Sequence, residues 1–269
     1  MGVDMSEQTE NKTKTVRFIV DGRSIEAPEG TSILEAARSH GIDIPSLCYH
    51  PGLEAFGACR LCVVEIRKHG WDAGWKQLVT SCLYPVEEGL IVETHSPEVM
   101  ENRKVVLDLQ LARVPNSEVI RQLAAQHGIH ETSYTKREDA DNCILCGVCV
   151  RVCEAIGANA IATFSRGPDK YVDVPDVDAC IGCLACALTC PTDAIPFTEN
   201  KLEREIWGKK FELVKDPVTG AGVTTQEMID HFSAKSGLPV SYFEKSDTTR
   251  KRETAASLAR VMFDSPENA

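Results

Sequence analysis

Cys143-Ile144-Leu145-Cys146-Gly147-Val148-Cys149-Val150-Arg151-Val152-Cys153 is followed, 37 residues on, by Cys180-Ile181-Gly182-Cys183-Leu184-Ala185-Cys186-Ala187-Leu188-Thr189-Cys190-Pro191. Each run spaces its cysteines C-x2-C-x2-C-x3-C. Three thiolates at that spacing can wrap one face of a cubane on a single turn of backbone, while the fourth is better placed to reach the cluster of the other run. Crossed ligand sets follow: Cys143, Cys146, Cys149 and Cys190 for one 4Fe-4S cluster, and Cys180, Cys183, Cys186 and Cys153 for a second. Pro191 fits the expected ending of such a run, whereas the first run has Glu154 in that place, a change that removes no ligand. All-cysteine zinc sites are usually two C-x2-C pairs roughly 15–20 residues apart, and these runs suit a tetrahedral ion poorly.

Of the 12 cysteines, the remaining four are Cys48, Cys59, Cys62 and Cys82, a C-x10-C-x2-C-x19-C pattern. A close pair with a distant fourth member parallels the plant-type 2Fe-2S layout. Four cysteines over 35 residues could also hold zinc, and the spacing alone leaves that open. The three sets use every cysteine, so disulfides have no claim on them. Met1 to Lys14 is polar, with no apolar segment of a signal peptide or anchor, and is expected to be a loose tail. The myristoylation-like start Met1–Ser6 is too short a match to carry weight. The expected compartment is the reducing cytoplasm, where thiols stay free to ligate metal.

The rest of the composition narrows the class. With 269 residues, 43% hydrophobic and 26% charged, the chain is neither disordered nor fibrous. No run of 18 apolar residues is present, so no membrane span is expected. A net charge of −11 argues against nucleic acid held through its phosphates.

Thr15–Val20, Asp21-Gly22 and Arg23–Glu26 read as strand, tight turn and strand. Thr31 then precedes Ile33, Leu34, Ala36 and Ala37 with Glu35 nearby, which predicts a capped amphipathic helix ending near Gly41. Strands are expected at Cys62–Ile66, Leu78–Thr80 and Gly89–Thr94. A small mixed sheet embracing one helix is a β-grasp arrangement, with its cysteines on the loop after the helix and at strand ends. Helices are predicted over Pro97–Leu111 and Ser117–His127, packing against the cluster modules. Inside the doubled module, Cys153 to Ala162 and Cys190 to Ile195 echo each other, as an internal duplication would. Ile144, Val148, Val152, Ile161, Ile181, Leu184 and Ile195 are expected to wall the clusters from water.

Ser32-Ile33-Leu34-Glu35-Ala36-Ala37, Ile44 to Pro51, Gly57-Ala58-Cys59-Arg60-Leu61-Cys62-Val63-Val64-Glu65 and Ser81-Cys82-Leu83-Tyr84-Pro85-Val86 resemble the N-terminal ferredoxin domain of the complex I 75 kDa iron-sulfur subunit and its relatives. Those relatives include the diaphorase iron-sulfur subunits of NAD-linked hydrogenases and formate dehydrogenases, and the N-terminal region of iron-only hydrogenases. The resemblance covers residues 15 to about 115 and 140 to 197, and it implies a 2Fe-2S cluster at Cys48, Cys59, Cys62 and Cys82. In that family a middle segment usually supplies one histidine and three cysteines for a further 4Fe-4S cluster. Here no cysteine lies between Cys82 and Cys143, so that centre is expected to be absent, and His95, His127 and His130 read as surface or helix-end residues. Lys68 to Trp75 reads as an insertion lengthening a hairpin, with Trp71 and Trp75 more readily a local packing cluster than a partner contact.

The expected class is therefore α+β: a flexible tail (1–14), a β-grasp 2Fe-2S ferredoxin domain (15–96), a helical linker (97–139), a bacterial-type double 4Fe-4S ferredoxin module (140–198) and a C-terminal extension for partner docking (199–269). In that extension, Trp207–Val214 reads as a strand and Thr225–Phe232 as a short helix. Asp216-Pro217-Val218-Thr219-Gly220 resembles, weakly, a C-P-x-C-G knuckle that has lost both cysteines, and Gly220-Ala221-Gly222 is too short for a dinucleotide loop. No P-loop, Rossmann fingerprint or triad is present, so no catalytic residue is assigned and the active site is expected on partner chains. Three one-electron centres imply conduction. The expectation is an electron-transfer subunit of a cytoplasmic oxidoreductase, between a flavin/NAD(P) subunit and a second catalytic subunit such as a hydrogenase or formate dehydrogenase. A free ferredoxin-like carrier is the alternative.

Overall fold

The computed structural model describes residues 14–68, 70, 72, 74–138 and 141–263, with backbone alone for 261–263. Of the expected tail only Lys14 is described, and Trp71 lies outside the described residues. The chain divides into two compact units, 1–146 and 147–269.

In the first unit, β1 (Thr15–Val20) and β2 (Arg23–Pro28) form the expected hairpin, with Asp21 and Gly22 both at positive φ in its two-residue turn. Alternation in β1 buries Val16, Phe18 and Val20. Next come α1 (Ile33–Ser39), β3 (Val63–Lys68), β4 (Gln77–Thr80), β5 (Leu90–Glu93), α2 (Pro97–Arg113) and α3 (Glu118–Gln126). The sheet order is β2-β1-β5-β3-β4, with β1 and β5 parallel and the other pairs antiparallel, which is the β-grasp pattern. The cap of α1 is Ser32 rather than Thr31, because Ser32 stands three residues before Glu35 and the two close a reciprocal capping box. Ile33, Leu34, Ala36 and Ala37 bury the inner face of α1 against the sheet.

The second unit comprises α4 (Val148–Ile156), β6 (Ala162–Phe164), β7 (Tyr171–Asp173), α5 (Ala185–Leu188), β8 (Phe197–Glu199), β9 (Glu203–Ile206), β10 (Lys209–Lys215), β11 (Gly222–Thr225), α6 (Gln226–Ser236), α7 (Val240–Phe243) and α8 (Asp247–Phe263). β6 and β7 pair as a hairpin, and β11-β10-β9-β8 form an antiparallel sheet. The single strand expected over Trp207–Val214 is a hairpin arm: Ile206 pairs with Lys209, and Trp207-Gly208 is its tip. α6 starts one residue later than expected and runs four further, capped by Thr225. Its His231 and Lys235 contact the carbonyl of Ile156, the open C-terminal end of α4.

Candidate iron-sulfur sites

Cys48 follows α1, Cys59 and Cys62 precede β3, and Cys82 follows β4; all four are buried. Cys48 hydrogen-bonds Cys59, and Cys62 hydrogen-bonds Cys82. The Cys48 thiol holds Cys59 below the ordinary thiol range against burial, helped by the amides of Leu47 and Leu61. Cys82 does the same for Cys62. Their partners Cys48 and Cys82 are pushed up by the same pairings and by burial. Backbone donors serve the sulfurs too: Leu47 N–H lies 3.4 Å from Cys59 Sγ, and Cys59 N–H 3.4 Å from Cys48 Sγ. Two of the four positions thus favour thiolate, the ligand form.

The loop carrying Cys62 is held from beneath. Arg103 of α2, 1% exposed, donates Nε to Leu61 O at 3.2 Å and Nη2 to Val63 O at 3.0 Å. Buried Ser81 donates Oγ to the carbonyl between them, Cys62 O, at 2.7 Å. Three consecutive carbonyls are therefore satisfied by side chains far away in sequence, as burial requires. Arg113 of α2 likewise donates to Cys143 O at 2.8 Å.

In the second unit, Cys153, Cys180, Cys183 and Cys186 line one cavity, walled by Ile161, Ile181, Leu184, Ile206 and Trp207. Burial raises the thiols of Cys180 and Cys183, and that of Cys186 to about 11. Among the described residues no three His, Cys, Asp or Glu side chains converge as a single metal ion would need. What these four cysteines share is a cavity. Of the expected wall, Ile144, Val148, Ile161, Ile181, Leu184 and Ile195 are buried and Val152 is half-buried.

The duplication is visible in the backbone. Leu145 and Gly182, in the first gap of each run, and Gly147 and Leu184, in the second, are all left-handed, so glycine and leucine exchange places between the repeats. After each fourth cysteine a left-handed residue, Asn159 or Asp193, aims the next amide at the sulfur: Ala160 N–H to Cys153 Sγ at 3.2 Å, and Ala194 N–H to Cys190 Sγ at 3.3 Å. Cys190, Cys149 and Cys143 are half-buried and Cys146 is buried.

Residues beyond the doubled module grip the second run. Lys209 Nζ donates to Cys180 O at 3.0 Å, Thr225 Oγ1 to Ile181 O at 2.6 Å and Arg204 Nη1 to Gly182 O at 2.5 Å. The sequence reading missed all three, together with Arg103, Arg113, Ser81 and Trp207. All of them but Trp207, which lines the cysteine cavity, act on main-chain carbonyls, which carry no residue identity to match. Buried cysteines, aimed amides and an apolar cavity suit iron-sulfur clusters, which need thiolate ligands, sulfur hydrogen bonds and shielding from water.

His95 contacts Thr94 Oγ1, and His127 contacts the Leu123 carbonyl within its own helix. Trp75 is 49% exposed. No described helix is long and apolar enough to cross a membrane.

Residues 13–97 match the 2Fe-2S iron-sulfur cluster binding domain family, and residues 137–197 the 4Fe-4S dicluster domain family. The chain thus carries a domain for one 2Fe-2S cluster and a domain for two 4Fe-4S clusters. It is 32% identical to the NADP-reducing hydrogenase subunit HndD of Solidesulfovibrio fructosivorans, over 91% of this chain and 45% of that protein. It is 28% identical to the mitochondrial NADH-ubiquinone oxidoreductase 78 kDa subunit of Candida albicans, over 64% of this chain and 21% of that protein. The chain therefore spans less than half the length of these relatives. A chain in the crystal structure of an NAD+-reducing [NiFe]-hydrogenase in the H2-reduced state superposes with a TM-score of 0.54 at 28% identity, covering 82% of this chain and 97% of that one. The resemblance to hydrogenase and complex I iron-sulfur subunits holds, and these relatives are parts of larger oxidoreductases rather than free ferredoxins.

Proposed function

We propose that this two-domain iron-sulfur chain is the electron-transfer subunit of a cytoplasmic oxidoreductase, passing single electrons between a flavin/NAD(P) subunit and a second catalytic subunit. The observation that carries the reading is the likeness to a chain of an NAD+-reducing [NiFe]-hydrogenase, which extends over 97% of that chain. The second partner would be a hydrogenase, a formate dehydrogenase or a similar low-potential enzyme.

The ligand sets are part of the proposal: Cys48, Cys59, Cys62 and Cys82 for the 2Fe-2S cluster, Cys143, Cys146, Cys149 and Cys190 for one 4Fe-4S cluster, and Cys180, Cys183, Cys186 and Cys153 for the other. So is the division into a 2Fe-2S domain at 15–96, a linker at 97–139, a double 4Fe-4S module at 140–198 and a C-terminal segment that meets partners. The bound clusters supply one-electron carriage with little nuclear rearrangement. The chain's own residues hold the thiolates, aim amides at their sulfurs and keep water away. The cytoplasmic placement rests on the need for free thiols in a reducing compartment.

Anaerobic isolation from the native host through a tag on this chain, followed by metal and flavin analysis, tests the reading. Nickel with flavin, or molybdenum or tungsten, in a stoichiometric complex is the expected result. Iron alone with no second polypeptide would refute it.

A further inference from the structure

The tip of the β9–β10 hairpin is an unusual place for tryptophan. Two-residue tips with both residues left-handed favour Asn-Gly, yet here they are Trp207, φ +55°, and Gly208, φ +73°. A bulky residue holds that conformation when its surroundings impose it. The hairpin is pinned by Arg204 on one arm, bound to Gly182 O, and Lys209 on the other, bound to Cys180 O. Between these anchors the Trp207 ring is turned into the cavity lined by Cys153, Cys180, Cys183 and Cys186.

The indole Nε1 is buried there with no partner at hydrogen-bond geometry. A buried donor left in that condition is costly and calls for an acceptor. The acceptor chemistry available in that cavity is sulfur, since the cysteines Cys153, Cys180, Cys183 and Cys186 line it together with Trp207.

We propose that Trp207 donates its indole N–H to a sulfur of the 4Fe-4S cluster held by Cys153, Cys180, Cys183 and Cys186, and that this bond raises the potential of that centre. The inference rests on the ligand assignment made above. A donor to sulfur stabilises the more negative reduced cluster, so its removal lowers the potential. Residues beyond the dicluster segment then belong to the cluster site itself, and the hairpin sets the energy of one centre relative to its neighbours.

The test is an EPR-monitored redox titration of the full holoprotein and its Trp207→Phe variant, which keeps an apolar ring and removes the N–H. The centre concerned is identified as the one lost in Cys183→Ala. Its reduced-to-oxidised ratio at the wild-type midpoint should fall about tenfold, equivalent to 59 mV for one electron, while the other two centres keep their potentials. An unchanged potential, or equal shifts in all three centres, overturns the proposal. A second readout needs no variant: with 15N-indole tryptophan, the reduced centre should show a nitrogen hyperfine coupling, and its absence also overturns the proposal. If Cys183→Ala removed no 4Fe-4S signal, the ligand assignment would fall, and the inference with it.

Discussion

Arg204 Nη1 lies 2.5 Å from the carbonyl oxygen of Gly182, so a strand beyond the dicluster segment holds the loop between two proposed ligands, Cys180 and Cys183. Arg204 is 8% exposed and also donates to Glu199. The grip is close enough that Gly182 has no room for a side chain: a Cβ there would meet Thr225 Cγ2 at 2.9 Å and Phe211 at 3.1 Å, at φ +69°.

Gly182→Ala should therefore damage the second 4Fe-4S site. The left-handed backbone alone costs about 1–2 kcal/mol with a Cβ, and the contact with Phe211 adds to it. Four irons per chain should be lost more readily on mild oxidation, read by iron analysis, with the 2Fe-2S spectrum intact.

Cys153→Ala should abolish the cluster anchored by Cys180, Cys183 and Cys186, because Cys153 shares their cavity. Iron should fall from about ten per chain, the sum for one 2Fe-2S and two 4Fe-4S clusters, to about six. Selective loss of the centre anchored by Cys143 would show that the crossed assignment is wrong.

Arg103→Met should loosen the 2Fe-2S loop, since it strands the carbonyls of Leu61 and Val63 in a buried place. Each stranded acceptor costs about 1–3 kcal/mol. The 2Fe-2S absorbance should be lost at lower urea than in the wild type, ahead of the 4Fe-4S signals; loss at an unchanged urea concentration would contradict the prediction.

Asp216→Asn should free the start of α8. Asp216 accepts the amides of Val218 and Thr219, and from Ser246, which stands just before α8, at 2.7 Å. Burial opposes ionisation, but hydrogen bonds from Ser246, Thr219 and Thr249 outweigh it and hold the carboxyl far below the usual range. A folded-state value below the unfolded one near about 3.9 contributes stability above that pH and loses it on acidification. Amide exchange over 247–260 should be faster in the variant, by the same factor from pH 8 to pH 5. A gap that narrowed across that window would mean a carboxyl raised above its ordinary value of about 3.9, and would contradict the prediction.

The turn at Asp216–Gly220 is explained by the same residue. Asp216-Pro217-Val218-Thr219-Gly220 resembles a metal-binding turn without its cysteines, and the Asp216 carboxylate, 1% exposed, organises the turn through the hydrogen bonds just described. The residue types were readable in the sequence. The long-range acceptor role was not, because Ser246 lies 30 residues away.

Some features of this protein needed no tertiary structure. The two 4Fe-4S clusters follow from cysteine offsets and the 2Fe-2S cluster from the motifs shared with a ferredoxin domain, while the β1–β2 hairpin and the capped α1 follow from alternation and a four-residue box, because each is a rule about neighbours along the chain. The capping error, Thr31 for Ser32, and the missed tip at Trp207 were shifts of a residue or a turn within correctly placed elements. The supports under the clusters had no such signature. Arg103, Arg204, Lys209 and Thr225 act on backbone carbonyls brought near by packing, and Trp207 lines its cavity from a hairpin that two such bonds anchor. A buried carbonyl must be satisfied by whatever the fold brings to it, and that choice is made in three dimensions.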